Sequence, residues 1–132
     1  YPQSQQLRKE YSLAKTLNEL TIELKDFILD TLNDPRSKVK VKRYEFNALD
    51  VSMDPDRESM PHIIVSMGIS EATFSIETGK KIAGGMGPVE RYVLKWLEKG
   101  LTLQKLRETW MSAEKIQRAK DKKAQKTQSK FR

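Results

Sequence analysis

The side chains with the clearest chemical potential are the basic ones near the C-terminal end. Residues 114–132 carry eight Lys and Arg against two acidic residues, a net charge of +6, whereas the other 113 residues of the 132-residue chain sum to +1. No Gly or Pro occurs from residue 101 onward, so one helix can continue through this segment. On that helix Arg118, Lys122 and Lys126 fall at every fourth position, with Lys115 close by, and form one stripe.

A basic stripe joined to a nearly neutral body is typical of an arm that holds the phosphates of a nucleic acid. The alternative is a terminal extension that only increases solubility. We expect the first, with RNA favoured over DNA and a ribonucleoprotein assembly as the setting. The expected phosphate-binding residues of the arm are Lys115, Arg118, Lys122, Lys123, Lys126, Lys130 and Arg132.

A second basic group lies in the alternating segment 38–42, where Val39 and Val41 would point inward. Aromatic residues among lysines on an exposed strand can stack on bases while the lysines hold phosphates. The competing interpretation, which we favour, is a sheet edge that lysines protect from aggregation. The residues concerned are Lys38, Lys40, Lys42 and Arg43, followed by Tyr44 and Phe46.

Catalytic and metal chemistry has few candidates, since the absence of Cys excludes disulfides, thiolate zinc sites and cysteine nucleophiles. His62, the only histidine, could act as a general base with Glu71 or Glu77, but a strand histidine with a hydrogen-bond partner is the default. Asp54 and Asp56 resemble a cation-binding loop yet lack the glycine that a calcium loop needs. We therefore predict no catalytic residue, metal or cofactor, and an enzyme based on His62 is the least favoured hypothesis.

The segment Gly84-Gly-Met-Gly-Pro88 is rich enough in glycine to suggest a phosphate loop. It has neither the Gly-Lys-Ser/Thr of a Walker loop nor the dinucleotide spacing. We predict a plain connector between a strand and a helix that begins at Pro88.

The N-terminal part predicts a long helix over residues 12–32, with Ser12 as a possible N-cap and an earlier start near Ser4 as the alternative. Five apolar residues at 4-3-4-3 spacing form its main stripe: Leu13, Leu17, Leu20, Leu24 and Phe27. Its back face carries Tyr11, Ile22 and Leu29. We favour packing of the main stripe on the protein's own sheet, and the alternative is a surface that binds a partner protein.

The remaining elements predict an α+β fold. Short alternating segments between about residues 38 and 77 indicate an antiparallel sheet of three or four strands. A helix at 88–99 would end at Gly100 as its C-cap, and a last helix would begin with Thr102 as its N-cap. We expect the long N-terminal helix and these two C-terminal helices to pack on the sheet.

Several short motifs between about Ala48 and Ala113 follow one another in a specific order. They are Leu49, Met53-Asp-Pro55, Pro61-His-Ile-Ile-Val65, Glu71-Ala-Thr-Phe-Ser-Ile-Glu-Thr-Gly79, Gly85, Pro88, Val93 with Trp96, and Leu106 with Trp110. In order and spacing this half of the chain resembles a family of small bacterial proteins, domain of unknown function 4160. The resemblance implies three strands and two closing helices, and a toxin–antitoxin setting with a protein or RNA partner. The family's second strand histidine is replaced here by Ile64, which puts a histidine-based site in doubt.

These observations predict three segments: an N-terminal helical extension at 1–36, an α+β core at 37–113, and a basic C-terminal helical arm at 114–132. We expect a non-enzymatic binding protein whose arm contacts nucleic-acid backbone. The alternative is a protein–protein interaction module, such as an antitoxin-like or regulatory subunit, that uses the apolar N-terminal helix. No apolar run is long enough for a membrane span. The N-terminus has neither an initiator methionine nor a signal-peptide core, so we expect a mature product or a fragment. The expected location is an intracellular reducing compartment, either cytoplasm or an organelle matrix.

Overall fold

The computed structural model describes residues 2–32, 47–57 and 60–129, and the side chains of residues 7–32, 47–57 and 60–122. It confirms the α+β class: within these residues, a long N-terminal helix and two C-terminal helices accompany one antiparallel sheet of four strands. The elements in chain order are α1 (Pro2–Leu32), β1 (Asp50–Ser52), β2 (His62–Met67), β3 (Ser70–Ser75), β4 (Lys81–Gly85), a 3-10 helix (Gly87–Val89), α2 (Glu90–Leu97) and α3 (Gly100–Ser129).

Helix α1 begins at Pro2, ten residues before the predicted Ser12. Its main stripe faces the sheet and the other helices, as we favoured: Leu20 and Leu24 are buried, together with Ile28, one position beyond the stripe. Thr21 connects the helix to the sheet, because its hydroxyl accepts a hydrogen bond from the Val51 N–H at 3.0 Å. That bond satisfies a backbone donor on the free edge of β1, which would otherwise be buried without a partner.

The sheet is a simple meander in the order β1-β2-β3-β4. The register aligns Val51 with Val65 and Val65 with Ala72, and it aligns Ile63 with Phe74. These cross-strand neighbours belong to the same buried core as the helices, so the inner face of the sheet is apolar. Gly68, with a φ of 64°, makes the tight turn between β2 and β3 that such a hairpin requires.

Strand β4 corrects two predictions, because it lies outside the range 38–77 and contains Gly84 and Gly85, which we assigned to a loop. Gly84 pairs with Ala72 and has a φ of 77°. A Cβ at this position would overlap the Glu71 carbonyl oxygen on β3. The glycine is therefore needed for close approach of two strand backbones, and not for approach of a phosphate.

The caps predicted between the last two helices are also wrong. Helix α2 ends at Leu97, and Gly100 is the first residue of α3 rather than the C-cap of α2. Thr102 lies inside α3 with 2 % of its surface exposed. The α-helix that we placed from Pro88 begins at Glu90, after a 3-10 turn at 87–89 that contains this proline.

Some predictions fall on residues outside the described part of the chain. They are the alternating strand with Lys38, Lys40, Lys42 and Arg43, and the last two basic residues Lys130 and Arg132. Lys123 and Lys126 belong to α3, but their side chains are not among those described. Within the described residues, no helix is both long and apolar enough to cross a membrane.

Candidate nucleic-acid interface

Helices α1 and α3 run antiparallel along each other. Lys105 Nζ lies 3.4 Å from Glu23 Oε2, and Lys120 Nζ lies 3.3 Å from Glu10 Oε1, so positions rise on one helix as they fall on the other. This direction places the N-terminal half of α1 beside the C-terminal half of α3. These two helix halves therefore share one surface.

An open cleft of about 360 Å³ lies between these two halves. Helix α1 lines it with Arg8, Lys9, Ser12, Leu13 and Thr16, and α3 lines it with Thr109, Ser112, Lys115 and Ile116. The cleft thus has an apolar floor, four hydroxyl groups and three cations. None of the nine lining residues is acidic.

The three cations of the cleft are free to bind an external anion. Arg8, Lys9 and Lys115 make no ion pair with any residue that the structure describes, and all three are exposed. Like charges gathered on one surface raise the local positive potential, and a phosphate group relieves their mutual repulsion. The arrangement suits a polyanion.

The hydroxyl groups of the cleft are oriented by the helices that carry them. Thr16 donates to the Ser12 carbonyl at 2.9 Å, Thr109 to the Lys105 carbonyl at 2.7 Å, and Ser112 to the Glu108 carbonyl at 3.4 Å. Because each proton is directed back to the preceding helical turn, the oxygen lone pairs are left to accept hydrogen bonds. The cleft therefore combines cationic donors with neutral acceptors.

The structure brings only part of the predicted arm to this cleft. Lys115 lines it, whereas Arg118 pairs with Glu114 on its own helix and Lys120 pairs with Glu10. Lys122 is exposed and has no ion pair among the described residues. Intramolecular pairing therefore removes some of the free charge that the sequence indicates.

Sequence reasoning missed Arg8 and Lys9, which add the N-terminal end of the chain to the basic surface. A signal was present, because the apolar positions continue through Leu13 on α1 and reach Ile116 on α3. Pairing these two stripes antiparallel would have placed Lys115 near Arg8 and Lys9. Periodicity alone does not say which stripes meet.

The main stripe of α1 was the predicted protein-binding site in the alternative hypothesis. Leu20 and Leu24 are 3 % and 0 % exposed, so they stabilise the fold and cannot touch a partner without unfolding it. The other members, Leu13, Leu17 and Phe27, are partly buried. The exposed apolar residues of the helix lie on its back face instead.

His62 is fully buried, and both ring nitrogens bind the backbone. Nδ1 donates to the Met60 carbonyl at 2.7 Å, while Nε2 accepts from the Asp54 N–H at 3.3 Å, an arrangement that defines one neutral tautomer. The ring packs against Trp110 with 4.9 Å between centroids. These contacts hold the loop before β2 onto the core and leave neither ring nitrogen directed at Glu71 or Glu77.

The acidic turn forms a local structure of its own. Asp54 Oδ1 accepts a hydrogen bond from the Arg57 N–H at 3.2 Å, which closes the turn. Arg57 in turn lies 3.4 Å from Glu71. Among the described residues, no three His, Asp or Glu side chains are grouped so that they could hold a metal ion.

Comparison with known proteins found no matching family model, no matching curated protein and no matching solved structure. The resemblance to domain of unknown function 4160 therefore stays a prediction.

Proposed function

We propose that this protein binds the sugar–phosphate backbone of nucleic acid, RNA in preference to DNA, across the paired basic halves of α1 and α3. The observation that carries the proposal is the cleft in which Arg8, Lys9 and Lys115 stand unpaired and no carboxylate lines the wall. Each phosphate that they neutralise releases condensed counterions, which is the main source of sequence-independent affinity.

The shape of the interface supports backbone contact rather than base reading. The cations come from two helices and flank an apolar floor made by Leu13 and Ile116. Lys122 lies two helical turns beyond Lys115 on α3, so the basic surface continues along the helix axis. A chain of regularly spaced phosphates can follow such a surface without a specific sequence.

The preference for RNA rests on the hydroxyl oxygens. Thr16 and Ser112 present acceptor lone pairs because their protons are used within the helices, and Thr109, which is 5 % exposed, has a third acceptor deeper in the cleft. A ribose 2′-hydroxyl can donate to such an acceptor, whereas deoxyribose has no group that can. Ser112 has the longest of the three internal bonds and can most easily reorient toward a ligand.

The test compares two pairs of substitutions that change net charge equally. The first pair, Lys9→Glu with Lys115→Glu, reverses the charge of two cations that line the cleft. The second pair, Arg91→Glu with Arg107→Glu, reverses the charge of two exposed residues outside the cleft. Binding of a labelled uridine oligonucleotide is followed by fluorescence anisotropy. Loss of two single-strand phosphate contacts should weaken binding on the order of 25-fold at about 0.1 M salt, and the control pair should have a much smaller effect.

Two outcomes would contradict the proposal. If the unaltered chain does not bind the oligonucleotide at low salt, the function is wrong. If both pairs weaken binding equally, only net charge matters, and the cleft is not the site. Circular dichroism of each variant confirms that the helices remain formed.

The RNA preference has its own measurement. Oligonucleotides of uridine and deoxyuridine differ at the 2′-hydroxyl, and one additional hydrogen bond should favour RNA by about 2- to 10-fold. Ser112→Ala should reduce that ratio and leave binding of the deoxyuridine oligonucleotide unchanged. Equal affinity of the unaltered chain for both would reject the preference while leaving backbone binding intact.

The alternative function, a protein–protein interaction module, is favoured by a different observation. The back face of α1 exposes Tyr11 at 73 % and Ile22 at 50 % of their surface. Pull-down of the chain with and without nuclease treatment separates a protein partner from a nucleic-acid one. Retention of a partner after nuclease treatment would support the alternative.

A further inference from the structure

The back face of α1 is mostly exposed in the described part of the structure, although Lys25 on this face is half-buried and bonds to Asn47. Four large apolar residues on it are strongly exposed: Leu7 at 65 %, Tyr11 at 73 %, Ile22 at 50 % and Leu29 at 42 %. Single exposed apolar residues are common on proteins, but four along one helix indicate a contact surface.

The spacing shows that these residues belong to one line. The line has seven members, at positions 7, 11, 14, 18, 22, 25 and 29. Its six steps cover 22 residues, which is about 3.7 residues per step and close to the 3.6 residues of one helical turn. The line therefore runs almost parallel to the helix axis for about 33 Å. We call these seven residues the back-face line.

Charged residues beside the line are divided by sign. Arg8 and Lys15 flank its N-terminal half, and Glu19 and Asp26 flank its C-terminal half on the same side of the helix. None of the four has an ion pair with another residue in the described part of the chain. One half of this surface is thus complementary in charge to the other half.

From this pattern we propose that the back-face line binds the same line of a second copy of the chain, with the two α1 helices antiparallel and a two-fold axis at Asn18. Turning the helix end for end about Asn18 brings Leu7 level with the partner's Leu29 and Ala14 level with the partner's Ile22. Each surface then meets an identical one, as a two-fold interface requires.

The polar members of the line also find suitable partners in this arrangement. Asn18 meets the partner's Asn18 at the axis, where one amide can donate to the other and fix the register. Lys25 lies level with the partner's Tyr11, close enough for a cation–π contact. Lys25 already donates to the Asn47 carbonyl at 3.2 Å, which restrains its side chain near this surface.

The flanking charges select the antiparallel direction. Lys15 lies two residues, about 3 Å along the axis, from the partner's Glu19, and Arg8 lies equally near the partner's Asp26. In a parallel two-fold dimer the flank that carries Lys15 and Glu19 would lie on opposite sides of the interface in the two copies, so neither residue would reach this flank of the partner. The Lys15–Glu19 and Arg8–Asp26 contacts between copies therefore form only in the antiparallel dimer.

The proposal is independent of nucleic-acid binding. Arg8 belongs to both surfaces, but Lys15 and Glu19, the two residues that the test exchanges, do not line the basic cleft. Dimerisation is measured with nuclease-treated protein, so an RNA bridge cannot produce it. Failure of one proposal therefore leaves the other standing.

The test is an exchange of charge at two exposed positions of the full chain, read by sedimentation equilibrium over a range of concentrations. Lys15→Glu alone places like charges at both symmetry-related pairs, and so does Glu19→Lys alone. We expect each single variant to weaken the dimer by at least about tenfold, since two pairs become repulsive. An equimolar mixture of the two variants should form a heterodimer, because every flanking pair is again of opposite sign.

Controls separate this interface from general effects of charge. Lys9→Glu makes the same change of charge on another face of α1 and should leave the dimer intact. The double variant with both exchanges should dimerise by itself, like the unaltered chain. A monomer at all concentrations overturns the proposal, as does a dimer that Lys15→Glu and Glu19→Lys leave unchanged. Failure of the mixture to associate overturns the antiparallel arrangement.

Discussion

Two clefts lie along the same pair of helices, and they differ in charge. The basic cleft of about 360 Å³ is lined by three cations and no acid, whereas the smaller cleft of about 170 Å³ is lined by Glu19, Glu23 and Glu108 with Lys105. The two share Thr16 at their boundary. On α1 the sign therefore changes between Lys9 and Glu19, about three helical turns apart.

The difference shows how one helix pair can serve two purposes. The acidic end lies beside Leu20, which is buried in the core, and there the Lys105–Glu23 pair connects the helices. The basic end lies farther along α3, and in the register that the two ion pairs define it lies beside the N-terminal half of α1. A phosphate chain is repelled by the acidic cleft and attracted by the basic cleft, so the charge boundary limits where it can lie.

The largest expected effect is a difference between the core end and the basic end of the helix pair in how much one substitution lowers the free energy of unfolding. Leu24→Ala removes a side chain with 0 % exposure from the core and should lower the free energy of unfolding by about 2–5 kcal/mol. Leu13→Ala changes a partly buried residue on the floor of the basic cleft and should cost about 1–2 kcal/mol. Urea unfolding monitored by circular dichroism measures both. Equal costs would show that the basic end is packed as tightly as the core.

The next effect concerns the salt dependence of binding. Lys9→Gln with Lys115→Gln removes two cations without adding acids, so the slope of log affinity against log salt should become shallower by about 1.4 for a single strand. Arg91→Gln with Arg107→Gln is the matched control. An unchanged slope in the cleft variant would mean that these side chains hold no phosphate.

The smallest effect tests the boundary itself. Glu108 lines the acidic cleft and lies on the same helix as Lys115, so Glu108→Lys should extend the basic surface by one phosphate contact. The slope should steepen by about 0.7, while Glu98→Lys at the end of α2 should leave it unchanged. If both substitutions steepen the slope equally, the position of the acidic cleft has no influence on binding.

Local periodicity was sufficient for much of the fold. Short alternating segments predicted an antiparallel sheet between about residues 38 and 77, where β2 and β3 lie, because strands expose alternate side chains to opposite faces. The stripe through Leu20 and Leu24 predicted the face of α1 that is buried. These features depend on neighbours within one or two turns, and such neighbours are read directly from the sequence.

Local chemistry was misleading where a distant element decided the outcome. Gly84 signals a loop by composition, but in the fold it lies against Glu71 on β3 and forms a strand. Gly100 and Thr102 are good capping residues, yet α3 begins at the glycine and buries the threonine. Tertiary packing overrides local propensity because the free energy of a buried face exceeds that of a single cap.

The sequence by itself determined that the chain forms amphipathic helices and a small sheet, and that its C-terminal segment is cationic. Only the tertiary structure decided that Arg8 and Lys9 would stand beside Lys115, more than a hundred positions away in the chain. It also decided that Lys120 on α3 would be paired with Glu10 on α1. The physical reason is that the charge of each residue is known from its type, whereas a binding site depends on the distances between charged residues. Antiparallel packing of two long helices sets those distances.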